Sequence, residues 1–414
     1  MIAGLPVQGL VTRLAAELRE FDAFRTRTQV QALEVSGAVR VPVFVNEFWT
    51  AKQRDAHSLH EISYRACFKP QLPRFFVERL TSPGDTVYDP FMGRGTTVLE
   101  AALLNRRPLG CDANPLCAVL TRPRLSPPSP GAVAARLAAI DFTFKAELPE
   151  DLLVFYHPAT LRQICALKHY LAIRQSDGDF DALDGWIQMV ALNRLTGHSP
   201  GFFSVYTLPP NQAVSLQSQR RINARRKQIP PLRDVPTLIL KKSRSLLADC
   251  TESERAHMAD IAPEGRLFTK SCEDVPEVSA NTVDLVVTSP PFLNVVDYAA
   301  DNWLRCWFLG FDAASVKLLI HRRPPEWQAA MTQVFTELHR VLRPGGHVAF
   351  EVGEVNAGRV LLEELVVQAG SNAGLTPELI LINDQEFTKT ANCWGVSNNT
   401  KGTNTNRIVV FQKP

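Results

Sequence analysis

The sequence lacks the features of disulfide-stabilised, zinc-binding and membrane-spanning proteins. Its eight cysteines are scattered over 414 residues and form no Cys-x-x-Cys pair, which argues against a disulfide framework and a zinc site. His57 and His60 stand beside Glu61, but no third metal ligand accompanies them. No run of about 18 uncharged apolar residues occurs, and Arg13 and Glu17 interrupt the stretch where a signal peptide needs an apolar core. We therefore expect a cytoplasmic protein with no membrane span and no bound metal.

The sequence also has no large excess of one charge sign. It contains 45 lysines and arginines and 42 acids, which gives a formal net charge of +3. The distribution is uneven, however. Between residues 220 and 244 a single acid, Asp234, accompanies a basic cluster of nine residues: Arg220, Arg221, Arg225, Arg226, Lys227, Arg233, Lys241, Lys242 and Arg244. Such a density fits either contact with a polyanion or an ordinary solvated helix face.

A strand, a glycine-rich turn, a helix and a second strand follow one another between residues 86 and 114. The first apolar run ends in Asp89, the turn contains Gly93 and Gly95, and the second strand ends at Asp112. Glycines let a ligand approach the backbone closely, and a helix start offers free N–H groups. An acid at the next strand end can accept hydrogen bonds from ribose hydroxyls. The pattern therefore predicts half of a nucleotide-binding α/β unit.

A second motif, Ser289-Pro290-Pro291-Phe292, follows the predicted buried strand that begins near residue 281. Two prolines remove two backbone donors and leave carbonyls as acceptors. Such acceptors suit the amino group of a flat aromatic base, and Phe292 offers a ring on which the base can stack.

The remaining periodicity predicts one mostly parallel sheet covered by helices on both faces, with a helical insertion at about 126–265. The supporting segments are a helix near 9–24, a strand at 39–45, a proline-rich linker at 121–132, helices over 133–250, a helix at 326–342, a strand at 347–353, a helix at 360–370, and strands at 375–382 and 406–413.

The two motifs together resemble the DNA amino-methyltransferase superfamily, which modifies adenine N6 or cytosine N4. Residues 89–97 read DPFMGRGTT, with Arg94 where the family usually has serine. Serine at position 289, preceded by Thr288, is the form typical of N4-cytosine enzymes. The resemblance implies S-adenosylmethionine as cofactor and a Rossmann-like methyltransferase sheet with an antiparallel last strand.

The resemblance also assigns residues. The implied cofactor-binding residues are Lys69, Asp89, Phe91, Gly93, Gly95, Thr96, Thr97, Asp112 and Asp274. The implied catalytic residues are Ser289, Pro290, Pro291 and Phe292. Where the family commonly has Gly-Asp, this chain has Ser271-Cys272-Glu273-Asp274. Either acid can meet the adenine amino group, and we favour Asp274.

The implied organisation is an N-terminal extension (1–50), a cofactor half (51–125), an inserted target-recognition domain (126–265) and the second catalytic part (266–414). Because the chain ends just after its last strand, we expect target recognition from the insertion. Double-stranded DNA is the expected partner, and the expected contacts are Arg220, Arg221, Arg225, Arg226 and Lys227, which would first serve phosphates. Phe202, Phe203 and Tyr206 fit either a base contact or core packing.

Four activities stay open at this point. They are N4-cytosine methylation, N6-adenine methylation, methylation of an amino group in RNA, and DNA recognition by a cofactor-binding protein without catalysis. No cysteine follows a proline, which argues against C5-cytosine chemistry. A partner restriction endonuclease, the recognised site and the oligomeric state are not determined by the sequence.

Overall fold

The computed structural model describes residues 12–35, 39–50, 56–65, 67–144, 147–207, 213–291, 298–316, 323–353, 361–384 and 405–414. The strands among these residues are β1 (Gln29–Val35), β2 (Val39–Asn46), β3 (Thr86–Asp89), β4 (Arg107–Asp112), β5 (Arg266–Thr269), β6 (Val283–Thr288), β7 (Leu342–Val352), β8 (Thr376–Asp384) and β9 (Thr405–Gln412). They form a nine-stranded sheet in the order β1-β2-β8-β9-β7-β6-β3-β4-β5.

The middle of this sheet is parallel. Strands β7, β6, β3, β4 and β5 pair in parallel, whereas β9 lies antiparallel between β8 and β7. β1 and β2 form an antiparallel hairpin, and β2 joins β8 in parallel. The predicted fold class, a mostly parallel methyltransferase-type sheet with an antiparallel last strand, is confirmed.

Helices cover both faces of the sheet and make up most of the segment between β4 and β5. They are α1 (Arg13–Arg19), α2 (Gln71–Leu80), α3 (Thr96–Leu103), α4 (Pro115–Leu125), α5 (Pro130–Ala139), α6 (Pro158–Ser176), α7 (Ala182–Leu192), α8 (Leu216–Arg226), α9 (Val235–Leu246), α10 (Glu252–Ile261), α11 (Tyr298–Leu309), α12 (Pro324–Val341) and α13 (Leu362–Asn372). Within the described part of the chain, no helix is long and apolar enough to cross a membrane.

Alternating side chains of the strands serve two cores. Val87 and Leu285 face a cluster that includes helix α2, whereas Tyr88 and Val286 face a cluster built on α12 and α13. This alternation is the period-two pattern of a sheet buried on both faces. Packing on both faces holds the central strands in place, so their carboxyl ends have fixed positions.

The segment between β4 and β5 is helical, and its apolar side chains share one core with α3 and α4. The prediction of a linker over 121–132 is wrong at both ends. Residues 121–125 finish helix α4 with Pro123 inside it, and α5 begins at Pro130. Proline disfavours helix interiors because it lacks an N–H, but Leu120, Thr121, Pro123 and Arg124 are buried here, so packing outweighs propensity. The limits of the inserted domain stay a prediction.

Candidate active site

The two sequence motifs meet at the carboxyl edge of the sheet. Strands β3 and β6 pair in parallel with Tyr88 opposite Val286, so Asp89 and Thr288 end neighbouring strands. The Thr288 hydroxyl donates a hydrogen bond of 2.6 Å to Asp89 Oδ1. The Thr97 hydroxyl donates one of 3.0 Å to the Val287 carbonyl. The glycine-rich turn and the start of the Ser-Pro-Pro-Phe motif are therefore joined directly, as a shared site requires.

Asp89 is an unusual carboxyl group. Burial raises the pKa of Asp89 to about 7, although hydrogen bonds from Thr288 and from the Phe91 N–H oppose that rise. Its second oxygen, Oδ2, is buried and has no hydrogen-bond partner among the described residues. Buried acceptors without partners are rare in folded proteins. Asp89 therefore holds an unpartnered oxygen at the sheet edge, which can accept a hydrogen bond when the carboxyl group is ionised.

The glycine-rich turn needs both of its glycines. Gly93 and Gly95 have left-handed φ angles of +49° and +71°, which glycine adopts readily. A Cβ on Gly95 would also lie 2.4 Å from the Thr121 side chain in α4. Close packing of the turn against α4 is thus the direct reason for Gly95. The predicted role of the glycines, to let a ligand approach the backbone, fits Gly93 better than Gly95. A Cβ on Gly93 would have no atom closer than 3.6 Å.

Asp112, at the end of β4, supports the same turn. Its Oδ2 accepts the Gly93 N–H at 3.0 Å, and its Oδ1 accepts the Asn114 N–H at 2.9 Å. Burial raises the pKa of Asp112, and the two backbone hydrogen bonds act against that rise. Each carboxylate oxygen has a further lone pair, so Asp112 can still accept hydrogen bonds from a ligand.

Arg94, where the family usually has serine, connects the turn to the segment 57–70. Its side chain is buried, and its guanidinium donates to the Ile62 carbonyl at 2.9 Å, to those of His60 and Phe68 at 3.4 and 3.5 Å, and to the Thr96 hydroxyl at 3.2 Å. We refer to this arrangement as the Arg94 clamp. It holds the segment that carries Lys69 against the glycine-rich turn.

A second buried arginine lies beneath the clamp. Arg124 donates to the carbonyls of Leu59 and Arg94. Burial, with the nearby Arg94 cation adding to it, lowers the pKa of Arg124 to about 9. The pKa of Lys69 is likewise lowered by burial and by Arg94. Three cationic side chains, those of Arg94, Arg124 and Lys69, therefore lie close together beside the turn.

His60 has a structural role in the same region. It lies 2.7 Å from Glu100 of α3, and Arg74 donates to the other oxygen of Glu100 at 2.9 Å. Burial lowers the pKa of His60 to about 4, so the ring is neutral at physiological pH. His60 thus fastens the segment 57–70 to helix α3.

The Ser-Pro-Pro-Phe motif is described up to Pro291. Ser289 and Pro291 are half-buried, and Pro290 is buried. The Pro291 carbonyl accepts the Trp327 indole N–H at 3.0 Å, whereas no described residue donates to the Pro290 carbonyl. Of the two proline carbonyls, that of Pro290 is therefore the available acceptor. Phe292 lies outside the described residues, as do Asp297 and the asparagine-rich loop at 392–404.

Glu351, at the end of β7, was not anticipated from the sequence. Thr288 pairs with Phe350. The next residue after each of these two, Ser289 and Glu351, therefore lies at the carboxyl ends of the neighbouring strands β6 and β7. Burial raises the pKa of Glu351, and hydrogen bonds from the Ser289 hydroxyl and from Asn406 counteract the rise. The Asn406 amide lies 2.8 Å from Glu351 Oε1. A buried carboxyl group therefore contacts the first residue of the motif.

The two candidate acids after β5 have different surroundings. Asp274 is exposed and close to the cations Lys270 and Arg340. Glu273 is half-buried, and its Oε2 accepts the Ser271 hydroxyl at 3.2 Å. These surroundings favour Glu273 over the preferred Asp274 as the acid that faces a ligand.

The basic cluster is divided between helix α8, with its C-terminal cap, the loop after it and helix α9. Arg220, Arg221, Arg225, Arg226 and Lys227 of α8 and its C-terminal cap are all exposed. Arg220 pairs with Asp151 at 2.9 Å, and the Arg226 guanidinium lies 3.8 Å from the centre of the Tyr206 ring.

Helix α8 is attached to the element that follows the motif. The Trp303 indole of α11 donates to the Val214 carbonyl at 3.3 Å, and the Ala213 N–H donates to the Asp301 carbonyl at 3.1 Å. Helix α8 begins two residues after Val214.

Phe202 and Phe203 are buried, which favours core packing over a base contact for these two rings.

Comparisons with known proteins match part of this chain to DNA methylases. The family described as DNA methylase, of the N6/N4 methyltransferase type, matches residues 25–119. The Type II methyltransferase M.BsoBI of Geobacillus stearothermophilus is 23% identical over 63% of this chain and 55% of its own length. M.MvaI of Kocuria varians, also a Type II methyltransferase, is 25% identical over 30% of this chain and 25% of its own.

A tRNA (guanine(10)-N2)-dimethyltransferase of Methanocaldococcus jannaschii is 27% identical over 24% of this chain and 32% of its own length. The chain spans about half the length of M.BsoBI. The family match covers β3, α3 and β4, which carry the glycine-rich turn and Asp112. Residues 25–119 therefore match the N6/N4 DNA methylase family, and the similarities to Type II methyltransferases support S-adenosylmethionine as the cofactor.

Proposed function

We propose that this protein transfers a methyl group from S-adenosylmethionine to the N4 amino group of cytosine in a specific sequence of double-stranded DNA. The observation that carries the proposal is the hydrogen bond between Thr288 and Asp89. It puts the cofactor turn and the amine-binding motif side by side, so a methyl donor and an amino group can meet over the same sheet edge.

The residues at this edge fit S-adenosylmethionine. Asp89 Oδ2 is a buried acceptor without a described partner, and Asp112 keeps acceptor capacity beside Gly93. Acceptors of this kind suit the ammonium group and the ribose hydroxyls of the cofactor. The residues that would hold it are Lys69, Asp89, Phe91, Gly93, Gly95, Thr96, Thr97 and Asp112, together with Glu273 or Asp274. When bound, the cofactor supplies an electrophilic methyl group on a sulfonium ion.

Ser289 and the Pro290 carbonyl would orient the target amine. The Glu351 carboxyl group would accept a hydrogen bond from the Ser289 hydroxyl, which turns the lone pairs of the serine oxygen toward the base. Two acceptors on one NH2 group draw its protons aside and free the nitrogen lone pair for attack. Because the methyl donor is already activated, much of the rate would come from this positioning.

The choice of cytosine N4 rests on the serine at position 289 and on Thr288 before it, the form that resembles N4-cytosine enzymes. The side chain is compact and neutral, and Glu351 stands behind it. N6 of adenine is the alternative target in the same geometry.

Duplex DNA is the proposed substrate because the exposed cations of α8 lie on an element joined to α11, which begins after the motif. Arg221, Arg225 and Lys227 form no ion pair with a described residue, so they are available to phosphates. Phosphate contacts of this kind position a duplex without reading its sequence.

RNA is a second candidate substrate, because one relative is named as a tRNA dimethyltransferase. Competition between a DNA duplex and a folded RNA for methylation by the purified chain distinguishes the two.

The experiment for the main proposal is single-molecule modification mapping of DNA from cells that express the chain, since it gives the base and the site together. N4-methylcytosine at one sequence is the expected result. The variant Ser289→Ala should lose turnover far more than cofactor affinity. Unchanged turnover in this variant would show that Ser289 does not orient the amine.

A further inference from the structure

The loop after helix α8 carries the two most exposed large apolar side chains among the described residues. Ile229 is 86% exposed and Leu232 is 63% exposed. They flank Pro230 and Pro231, and we name residues 229–232 the apolar tip. Single exposed apolar residues are ordinary, but two within four residues, at the end of a cationic helix, require an explanation.

The apolar tip is held rigidly at both ends. On one side the Gln228 amide donates to the Tyr206 carbonyl at 2.9 Å and to the Asn223 side chain at 2.7 Å. On the other side Arg233 exchanges two hydrogen bonds with the buried Thr160 hydroxyl, at 2.8 and 2.9 Å. Two prolines fix two further φ angles between these anchors. A rigid loop loses little conformational entropy on binding. This favours a binding role for the tip over that of a flexible linker between α8 and α9.

Three cations precede the tip along the chain. Arg225 and Lys227 precede it, are exposed, and form no ion pair with a described residue. Arg226 is also exposed and lies against the Tyr206 ring. A second copy of this chain would bring like charges together at such a surface, whereas a polyanion would be attracted. An apolar projection among cations therefore matches nucleic acid, whose base stack is apolar and whose backbone is anionic.

Helix α8 links the apolar tip to the contact with α11. Helix α8 starts beside α11 and ends just before the tip. Its 11 residues span about 16 Å at 1.5 Å per residue. That length corresponds to roughly five base-pair steps at 3.4 Å each. A duplex that lies along α8 would therefore meet the tip about five steps from the end of the helix that contacts α11.

We propose that the apolar tip is a wedge that inserts Ile229 and Leu232 between base pairs near the target site. This inference rests on the proposed function, since it requires duplex DNA as substrate. Apolar wedges of this type unstack a base step and bend the duplex. Local unstacking lowers the cost of extruding a neighbouring base.

The test compares the double variant Ile229→Ala/Leu232→Ala with the wild-type chain on a short duplex that carries the methylation site. 2-Aminopurine placed at successive positions reports unstacking, and fluorescence anisotropy measures affinity across a salt series. We expect the double variant to lose the 2-aminopurine signal at one step and to bind about tenfold more weakly, equivalent to about 1.4 kcal/mol. Its salt dependence should stay unchanged, because apolar contacts release no counterions.

Two controls make the result specific. Ile173→Ala removes another exposed isoleucine, on α6, and should change nothing. Arg225→Ala/Lys227→Ala should reduce the slope of log affinity against log salt by up to about 1.8, at roughly 0.9 for each phosphate contact.

Unchanged unstacking and affinity in the Ile229/Leu232 variant, while wild-type DNA methylation proceeds, would overturn the wedge and leave the proposed function intact. Self-association or protein capture that depends on Ile229 and Leu232, with DNA binding unaffected, would also overturn it. A wild-type chain that neither binds nor methylates DNA would overturn both proposals.

Discussion

Replacing Arg94 by serine restores the usual family residue and tests whether the clamp matters here. In this chain, the guanidinium of Arg94 donates to the carbonyls of Ile62, His60 and Phe68. Only the bond to Ile62 has a short distance, 2.9 Å. A serine side chain is too short to reach any of the three.

The magnitude follows from these contacts. A hydrogen bond from a charged donor contributes about 1.5–3 kcal/mol, and leaving a buried acceptor unsatisfied costs a similar amount. The long contacts to His60 and Phe68 add little. Removal of Arg94 also relieves its repulsion with Arg124, whose pKa of about 9 reflects burial and that neighbouring cation. We therefore expect Arg94→Ser to lower the free energy of unfolding by about 2 kcal/mol.

The functional effect should appear at the cofactor. The clamp holds the segment that carries Lys69, so a looser segment should weaken binding of S-adenosylhomocysteine, by about tenfold if roughly 1.4 kcal/mol of the loss is local. Urea unfolding gives the stability, calorimetry gives the affinity, and hydrogen exchange should rise in residues 57–68. Arg94→Lys, which keeps the charge without the planar fork, should recover only part of both effects. Unchanged stability and affinity in Arg94→Ser would refute the assigned role of the clamp.

Two further predictions concern the buried carboxyl groups. Glu351→Gln keeps an acceptor for Ser289 but removes the charge that fixes the hydroxyl proton. Turnover should therefore fall about 10²-fold or more at unchanged cofactor KM, and the acidic limb of the wild-type pH–rate profile should disappear; an identical profile would contradict the positioning role. For Asp89, the folded pKa of about 7 exceeds the ordinary value of 3.8, so the folded state binds more protons, and wild-type stability should fall as pH rises between about 4 and 7. Asp89→Asn should remove this dependence. In urea unfolding, the free energy of unfolding of Asp89→Asn minus that of wild type should therefore rise by roughly 2 kcal/mol between pH 5 and 7.5. If this difference is the same at both pH values, Asp89 is not protonated in the native state.

The sequence predicted the sheet well because its strands are short, strongly apolar and followed by glycine or an acid. The strands predicted near 86–91, 108–114 and 375–382 correspond to β3, β4 and β8. Strand β1 was missed because its side chains are mostly exposed, so it lacks the apolar pattern of a core strand. The C-terminal end of helix α4 was also missed, because the prolines of that stretch suggested a linker, whereas buried packing keeps Pro123 in the helix.

The site was only partly predictable. Asp89, Gly93 and Asp112 belong to one local pattern, and the pattern alone indicates their proximity. The Arg94 clamp depends on carbonyl groups that lie about thirty residues away along the chain, and no local periodicity encodes such contacts. Glu351 had a usable signal, because it is an acid at the end of an apolar strand whose carboxyl end lies at the same sheet edge. Combining that signal with the strand order would have placed it beside Ser289.

The most direct measurement of the central claim is mass analysis of nucleosides after the purified chain has been incubated with duplex DNA and methyl-labelled S-adenosylmethionine. We predict label in N4-methyldeoxycytidine, and none when Ser289→Ala replaces the wild-type chain. Label in N6-methyldeoxyadenosine would correct the target base and leave the shared edge of Asp89 and Thr288 in place. No label in any DNA nucleoside, from a chain that binds the cofactor, would contradict the account.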